Sequence, residues 1–120
     1  MSLSIEYKNY TEYLFAKIVG EWKQPDMNLL LEDLKINAVK FNKNYILIDA
    51  FKLTLPNTEF VRFSTGEKIA SIFSYPYKIA TFSQSELINK FAETVAVNRG
   101  ANFKVFHSES EAKEWLLSKS

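Results

Sequence analysis

Apolar residues recur along the chain at two spacings, which predict strands alternating with helices. Within 13–19, Leu14, Ala16 and Ile18 alternate with a more varied set of residues, the period of a strand with one buried face. Residues 4–9 form a similar short run before a polar turn, so the two segments predict an N-terminal hairpin.

Helical spacing follows the hairpin. Over 26–43 apolar residues recur at intervals of about four, which predicts a first helix. The run YILIDA at 45–50 is too short for a helix and rich in large apolar residues, so it predicts a central buried strand. Asn57 or Thr58 can cap a second helix, which ends before Tyr75. The predicted apolar stripe of this helix is Phe60, Phe63, Ala70 and Phe73.

The second half of the chain repeats the pattern, with strands predicted at 78–83 and 102–106. A serine at or just after the end of each strand has a glutamate three residues later, the spacing of a capping box at the start of a helix. These pairs are Ser83 with Glu86 and Ser108 with Glu111. Gly100 stands where a left-handed cap would end the third helix. The predicted order is therefore ββαβαβαβα.

Strands that alternate with helices favour parallel pairing through right-handed crossovers. We therefore predict an α/β fold with a single mixed, mostly parallel five-stranded sheet, its first strand antiparallel, in one domain over 1–120. One phase of the strands is uniformly apolar and fits a core packed by helices. The other is mixed in polarity, and we predict that it meets a partner subunit or a ligand. The mixed phase is assigned to Tyr13, Phe15, Lys17, Tyr45, Leu47, Asp49, Ile79, Thr81 and Ser83.

Composition narrows the function. Fifteen basic and fourteen acidic residues leave a net charge of +1 in 120 residues. This composition gives no indication of the basic surface that nucleic-acid binding requires. The absence of cysteine excludes disulfides and thiolate chemistry. His107 is the only histidine, which excludes multi-histidine metal sites and favours a surface role. No apolar run is long enough for a membrane span, and we expect a cytoplasmic protein without a cofactor.

Two stretches carry a family resemblance: ILIDA as the central strand, and AETVAVNRGANFKVFHSESEAKEWL at 92–116. In the second, a helix, an N-R-G cap, a strand and an acidic helix follow one another. With this order of elements the chain resembles the SpoIIAA-like family, which is related to STAS domains and more loosely to the CRAL-TRIO fold. The resemblance implies a right-handed βα superhelix with its strands in sequential order.

The resemblance also directs attention to the segment after the central strand. In phosphorylatable STAS domains an acid there is followed by a serine at the start of the next helix, but AFKLTLPNTEF at 50–60 contains no serine. Thr58 is the candidate regulatory residue, with helix capping as its alternative role. Asp49 is a candidate ligand- or partner-binding residue because ligands bind beyond the carboxyl ends of parallel strands. Its alternative role is to order the loop.

Three apolar residues in the same segment, Phe51, Leu53 and Leu55, alternate with polar ones. They are candidates for a contact patch, with packing at the edge of the core as the alternative.

The function predicted from these observations is a non-enzymatic protein-interaction or regulatory module of the STAS-like type, acting as a homodimer or with a protein partner. A second hypothesis is the binding of a small apolar or lipid-like ligand in a CRAL-TRIO-like pocket. An enzyme is disfavoured because no set of residues supplies a nucleophile, a base and an oxyanion donor together.

Overall fold

The computed structural model describes residues 3–54, 59–84 and 86–118, except for the side chains of 86–89 and 91. Within them the predicted order of elements is confirmed. The strands are β1 (Ser4–Asn9), β2 (Leu14–Glu21), β3 (Tyr45–Thr54), β4 (Lys78–Phe82) and β5 (Phe103–Phe106). The helices are α1 (Asp26–Lys40), α2 (Glu59–Ile72), α3 (Glu86–Asn98) and α4 (Glu109–Leu116).

The strands form one five-stranded sheet in the order β1-β2-β3-β4-β5. β1 pairs antiparallel with β2, and all later neighbours pair parallel. The predicted mixed, mostly parallel sheet is therefore confirmed. Because each parallel connection advances by one strand in the same direction, the helices that connect the strands lie on one face of the sheet.

The main core lies between that face and α1, α2 and α3. The uniformly apolar phase of the strands points into it as predicted, with Leu14 and Ile46 fully buried. Leu34 from α1 and Phe73, directly after α2, are buried against the same cluster. Gly66 of α2 packs closely against α3, and a Cβ atom there would lie 2.7 Å from the carbonyl oxygen of Ala92.

The opposite face is partly covered, by α4. Ala112 and Leu116 pack there against Leu47, Ala80 and Phe82, and all five are buried. The prediction that the whole mixed face is free for a partner or ligand is therefore wrong for the part formed by β3 and β4. Because α4 follows the last strand and does not connect two strands, the right-handed crossovers do not determine which face of the sheet it covers.

The predicted phase of β4 is also wrong. The register pairs Leu47 with Ala80 and Asp49 with Phe82, so Ala80 and Phe82 share the α4-covered face. Thr81, which we had assigned to that face, lies in the main core instead. Every residue of β4 is buried, so burial on both faces removes the alternation from which the phase is predicted.

The central strand is longer than predicted and runs to Thr54. Lys17 pairs with Asp49, but Val19 pairs with Lys52, so β3 has one more residue than β2 between these pairs. This bulge continues the pairing through a stretch whose sequence we interpreted as a loop.

Two of the four predicted caps are confirmed, and the cap at Asn57 or Thr58 lies outside the described residues. Gly100 has φ +100°, and Ser108 Oγ accepts a hydrogen bond from the N–H of Glu111 at 3.2 Å. The capping box of Ser83 with Glu86 is wrong, because α3 begins at Glu86 itself. Ser83 remains beside the sheet, where its N–H donates to the Phe106 carbonyl. No helix in the described part of the chain is long and apolar enough to cross a membrane.

Strand β5 forms one edge of the sheet, and two side chains of α3 bond the outward backbone groups of Val105. The outward N–H of Val105 donates to Glu93 Oε1 at 2.6 Å, and Lys90 Nζ donates to the Val105 carbonyl at 3.4 Å. Lys90 and Glu93 also form an ion pair at 3.2 Å. The two side chains thus satisfy backbone groups that an edge strand otherwise leaves open.

We expect Glu93→Ala to lower the free energy of unfolding by about 1 kcal/mol, because the partly buried N–H of Val105 loses its acceptor. Urea denaturation monitored by circular dichroism would measure the change. Glu114→Ala, an exposed acid on α4, is the matched control and should change stability by less than about 0.5 kcal/mol. Equal effects of the two substitutions would contradict the capping role of Glu93.

Candidate functional site

The five residues predicted to form a site do not share one surface. Asp49 and Phe51 lie on the α4 side of the sheet, with the Phe51 ring 5.5 Å from that of Phe82. Leu53 packs on the opposite side, against the main core. Leu55 and Thr58 lie outside the described residues. A single contact patch of Phe51 and Leu53 is therefore excluded, since they occupy opposite faces of β3.

Asp49 is half-buried and lies next to Lys17 in the sheet register. Its Oδ1 atom accepts a hydrogen bond from the N–H of Phe51 at 3.0 Å. Phe51 follows Ala50 and lies inside the bulged stretch of β3. The carboxylate therefore holds the backbone where the strand changes register, the ordering role that was the alternative for Asp49.

Phe51 is fixed from two sides although its side chain is 37% exposed. Its ring meets Phe82 edge to face, and its carbonyl accepts a hydrogen bond from Gln84 Nε2 at 2.8 Å. Gln84 follows β4, so this bond ties the carboxyl ends of two neighbouring parallel strands together. An exposed aromatic ring is thus presented on a rigid base.

Phe60 is exposed, although its spacing predicts a place on the buried stripe of the second helix with Phe73. It is 71% exposed, whereas Phe73 is 1% exposed, so the prediction is wrong for Phe60. It lies in the first turn of α2, which follows β3 and therefore begins beyond the carboxyl end of that strand. Its exposure could be anticipated only by knowing where α2 begins.

These residues define what we call the carboxyl-end surface: Asp49, Phe51, Phe60 and Gln84. These residues lie at one end of the sheet, Phe51 on the side of α4 and Phe60 on the side of α2, and they supply two exposed aromatic rings, a carboxylate and an amide. Among the described residues no cluster of histidine and acidic side chains is suited to hold a metal ion. Aromatic residues such as Phe51 and Phe60 are enriched in protein–protein interfaces.

An interior cavity tests the second hypothesis, a bound apolar or lipid-like molecule. As lined by described residues it lies between β3, β4 and the helices and has a volume of about 50 Å³. A drug-sized ligand needs a pocket of roughly 300 Å³ or more. This cavity has room for no more than a few water molecules. The geometry thus disfavours the lipid-binding hypothesis.

The cavity has some polar lining. Thr65 Oγ1 accepts a hydrogen bond from Trp22 Nε1 at 2.8 Å and donates to the Val61 carbonyl at 2.9 Å. Thr81 Oγ1 is buried in the same lining without a hydrogen-bond partner. A single water molecule would satisfy such a hydroxyl, so this lining calls for no larger ligand.

Lys78 is the cation with the clearest electrostatic perturbation, and its surroundings are structural. Lys78 is 5% exposed, and burial lowers the pKa of its ammonium group. Nζ lies 4.6 Å from the ring centroid of Trp115 and donates to Ser118. Lys78 therefore joins β4 to the end of α4 and lies apart from the carboxyl-end surface.

Comparisons with known proteins identify the fold. No protein-family model and no curated protein matches the sequence. A solved structure from Shewanella loihica PV-4, an uncharacterized DUF3478-family protein with a SpoIIAA-like fold, is similar with 21% identity and a TM-score of 0.57. The alignment covers 96% of this chain and 94% of that one.

A second similar structure is an anti-sigma factor antagonist from Mycobacterium paratuberculosis, with 9% identity and a TM-score of 0.69. It covers 98% of this chain and 96% of that chain. The fold is SpoIIAA-like. This confirms the fold that the sequence resemblance implied, over nearly the whole chain. In this SpoIIAA-like fold, the carboxyl-end surface lies at the end of the sheet where β3 and β4 finish and α2 begins.

Proposed function

We propose that this protein is a non-enzymatic regulatory module of the STAS-like type, which acts in the cytoplasm by binding another protein at the carboxyl-end surface. The observation that carries the proposal is the exposure of Phe60, 71% of whose surface meets solvent in the first turn of α2. Large aromatic side chains are enriched in protein interfaces, so an exposed phenylalanine is a suitable anchor for a partner.

Two further observations support a protein partner. Phe51 adds a second exposed ring at the same end of the sheet, and its backbone is fixed by Asp49 and Gln84. One structure with a similar fold is that of an anti-sigma factor antagonist, a protein that acts on other proteins. A preorganised surface loses little conformational freedom on binding, which favours affinity.

Thr58 extends the proposal to regulation. It stands two residues before Phe60 in the sequence, so a phosphate on its hydroxyl would place about two negative charges next to the anchor. We propose that such a modification weakens partner binding. Phosphopeptide mapping of the protein isolated from its native cell would test this, and an unmodified Thr58 under all growth conditions would contradict it.

Photo-crosslinking from position 60 tests the interface. A photoreactive amino acid at Phe60 is expected to capture one dominant protein in the native cell. The same amino acid at Ser71, an exposed position at the far end of α2, serves as the matched control. Equal capture from the two positions would overturn the assigned surface.

Binding of the captured protein then gives a quantitative prediction. Phe60→Ala is expected to weaken the complex by about tenfold or more, the effect of removing an interface anchor. Isothermal titration calorimetry with the purified partner would measure it. Lys43→Ala, in the turn after α1, is the surface control and should leave the affinity unchanged. An unaltered affinity of the Phe60→Ala variant would contradict the proposal.

A further inference from the structure

The two edges of the sheet differ in how their backbone groups are satisfied. At β5 the outward groups of Val105 are bonded by Glu93 and Lys90. At β1 the pattern follows from the hairpin, where the N–H of Tyr10 donates to the Tyr13 carbonyl at 3.0 Å. Since hydrogen-bonded and non-hydrogen-bonded pairs alternate in an antiparallel ladder, the even-numbered residues of β1 bond to β2.

The odd-numbered residues of β1, which are Ile5, Tyr7 and Asn9, therefore direct their N–H and C=O groups away from the sheet. No hydrogen bond joins these backbone groups to another described residue. β1 is thus an open edge strand, the arrangement that accepts a further strand from another chain.

From this edge we infer that β1 pairs antiparallel with β1 of a second copy of this chain, in the register centred on Tyr7. A two-fold axis through this position turns the two sheets into one continuous sheet of ten strands. Tyr7 then forms a hydrogen-bonded pair with Tyr7 of the second copy, and Ile5 pairs with its Asn9. All the open groups of β1 find partners in this register.

Charge complementarity selects this register. Glu6 and Lys8 are both exposed and flank Tyr7, so pairing about Tyr7 places each Glu6 opposite Lys8 of the other copy. These are non-hydrogen-bonded pairs, in which side chains approach most closely. Pairing about Ile5 places Glu6 opposite Ser4, and pairing about Asn9 places it opposite Glu12, so neither matches opposite charges.

The flank of α1 supplies apolar surface beside the same edge. A groove of about 340 Å³ runs between β1 and α1, lined by Leu3, Ser4, Ile5, Asp26, Leu29, Leu30 and Asp33. Leu29 is 61% exposed and Ile36, two turns further along α1, is 65% exposed. A two-fold axis at Tyr7 brings the α1 helices of both copies to the same side of the sheet, where these side chains lose contact with water.

The groove also offers hydrogen-bond acceptors to Asn9 of the second copy. Asn9 of the second copy would lie opposite Ile5, on the face where Asp26 and Asp33 line the groove. Asp33 already accepts a hydrogen bond from the Tyr7 hydroxyl, and an amide can donate to a carboxylate at such a rim. The rim of the groove therefore offers carboxylate acceptors to the Asn9 amide of the second copy.

Charge reversal tests the inference. Sedimentation velocity of the full chain over a concentration series is expected to show a dimer that Lys8→Glu weakens about tenfold or more, since two attractive pairs become repulsive. The double variant Glu6→Lys with Lys8→Glu restores the opposite pairing and should recover most of the affinity. Lys104→Glu, the same change on the other edge strand, is the control and should have no effect.

Cysteine cross-linking provides an independent measurement, because the chain contains no cysteine. In the double variant Glu6→Cys with Lys8→Cys, the paired Cα atoms of two copies would lie about 4.5 Å apart, within the range for disulfides. Mild oxidation should give a covalent dimer on a non-reducing gel, and Lys104→Cys should not. A monomer at all concentrations, or a dimer insensitive to Lys8→Glu, would overturn the inference without touching the partner-binding proposal.

Discussion

Replacing Phe73 with alanine should lower the free energy of unfolding by about 4 kcal/mol, the usual cost of truncating a fully buried aromatic side chain. Phe73 is 1% exposed and packs in the main core. Its ring meets that of Tyr77 edge to face at 5.4 Å, and Lys35 Nζ lies 5.7 Å from its centroid. The alanine variant loses these contacts and leaves a cavity where α2 ends.

Phe60→Ala is the matched control, because it makes the same chemical change in the first turn of α2 at an exposed position. We expect it to change the free energy of unfolding by less than about 0.5 kcal/mol. Urea denaturation followed by the fluorescence of the buried Trp22 would compare the two variants. If both lost the same stability, the assignment of the two aromatic residues to core and surface would be wrong.

Substituting alanine for Gly66 should destabilise the protein by about 2 kcal/mol. The new Cβ would lie 2.7 Å from the Ala92 carbonyl oxygen and 2.8 Å from the Val95 Cβ, so α2 and α3 would have to separate. Alanine is the better helix former by about 1 kcal/mol, which opposes this effect. Overpacking typically costs about 1 to 3 kcal/mol and occasionally more, and the conflict here is with backbone, which cannot rotate away.

Gly100→Ala serves as the comparison for that experiment. A Cβ atom at Gly100 meets nothing within 4 Å, so only the positive φ of the residue opposes the change, at about 1 kcal/mol. Thermal unfolding monitored by circular dichroism would rank the two variants. A Gly66→Ala protein that is more stable than the wild type would show that the helices have room to accept a methyl group.

The order of elements could be predicted from the sequence because it depends on local spacing. The alternation around Leu14 in β2 and the glycine at position 100 act within a few residues, and both predictions are confirmed. The phase of β4 could not be predicted in this way. Both of its faces are buried, one by the connecting helices and the other by α4, so its sequence carries no alternation.

The candidate site was harder to predict because it depends on register. The bulge near Asp49 shifts β3 by one residue relative to β2 and extends the strand to Thr54. This places Phe51 and Leu53 on different faces, although they alternate with polar residues in the sequence. The exposure of Phe60 depends on where α2 begins, and the open groups of β1 depend on which strand forms the edge.

The closed edge at β5 has a consequence for assembly. A sheet with two open edges can add chains at both ends and grow into a fibre. Because Glu93 and Lys90 occupy the backbone groups of Val105, an added strand meets fewer open groups at β5 than at β1. If two chains join through β1, the ion pair on α3 opposes further growth at the β5 edges and favours a closed pair over a fibre.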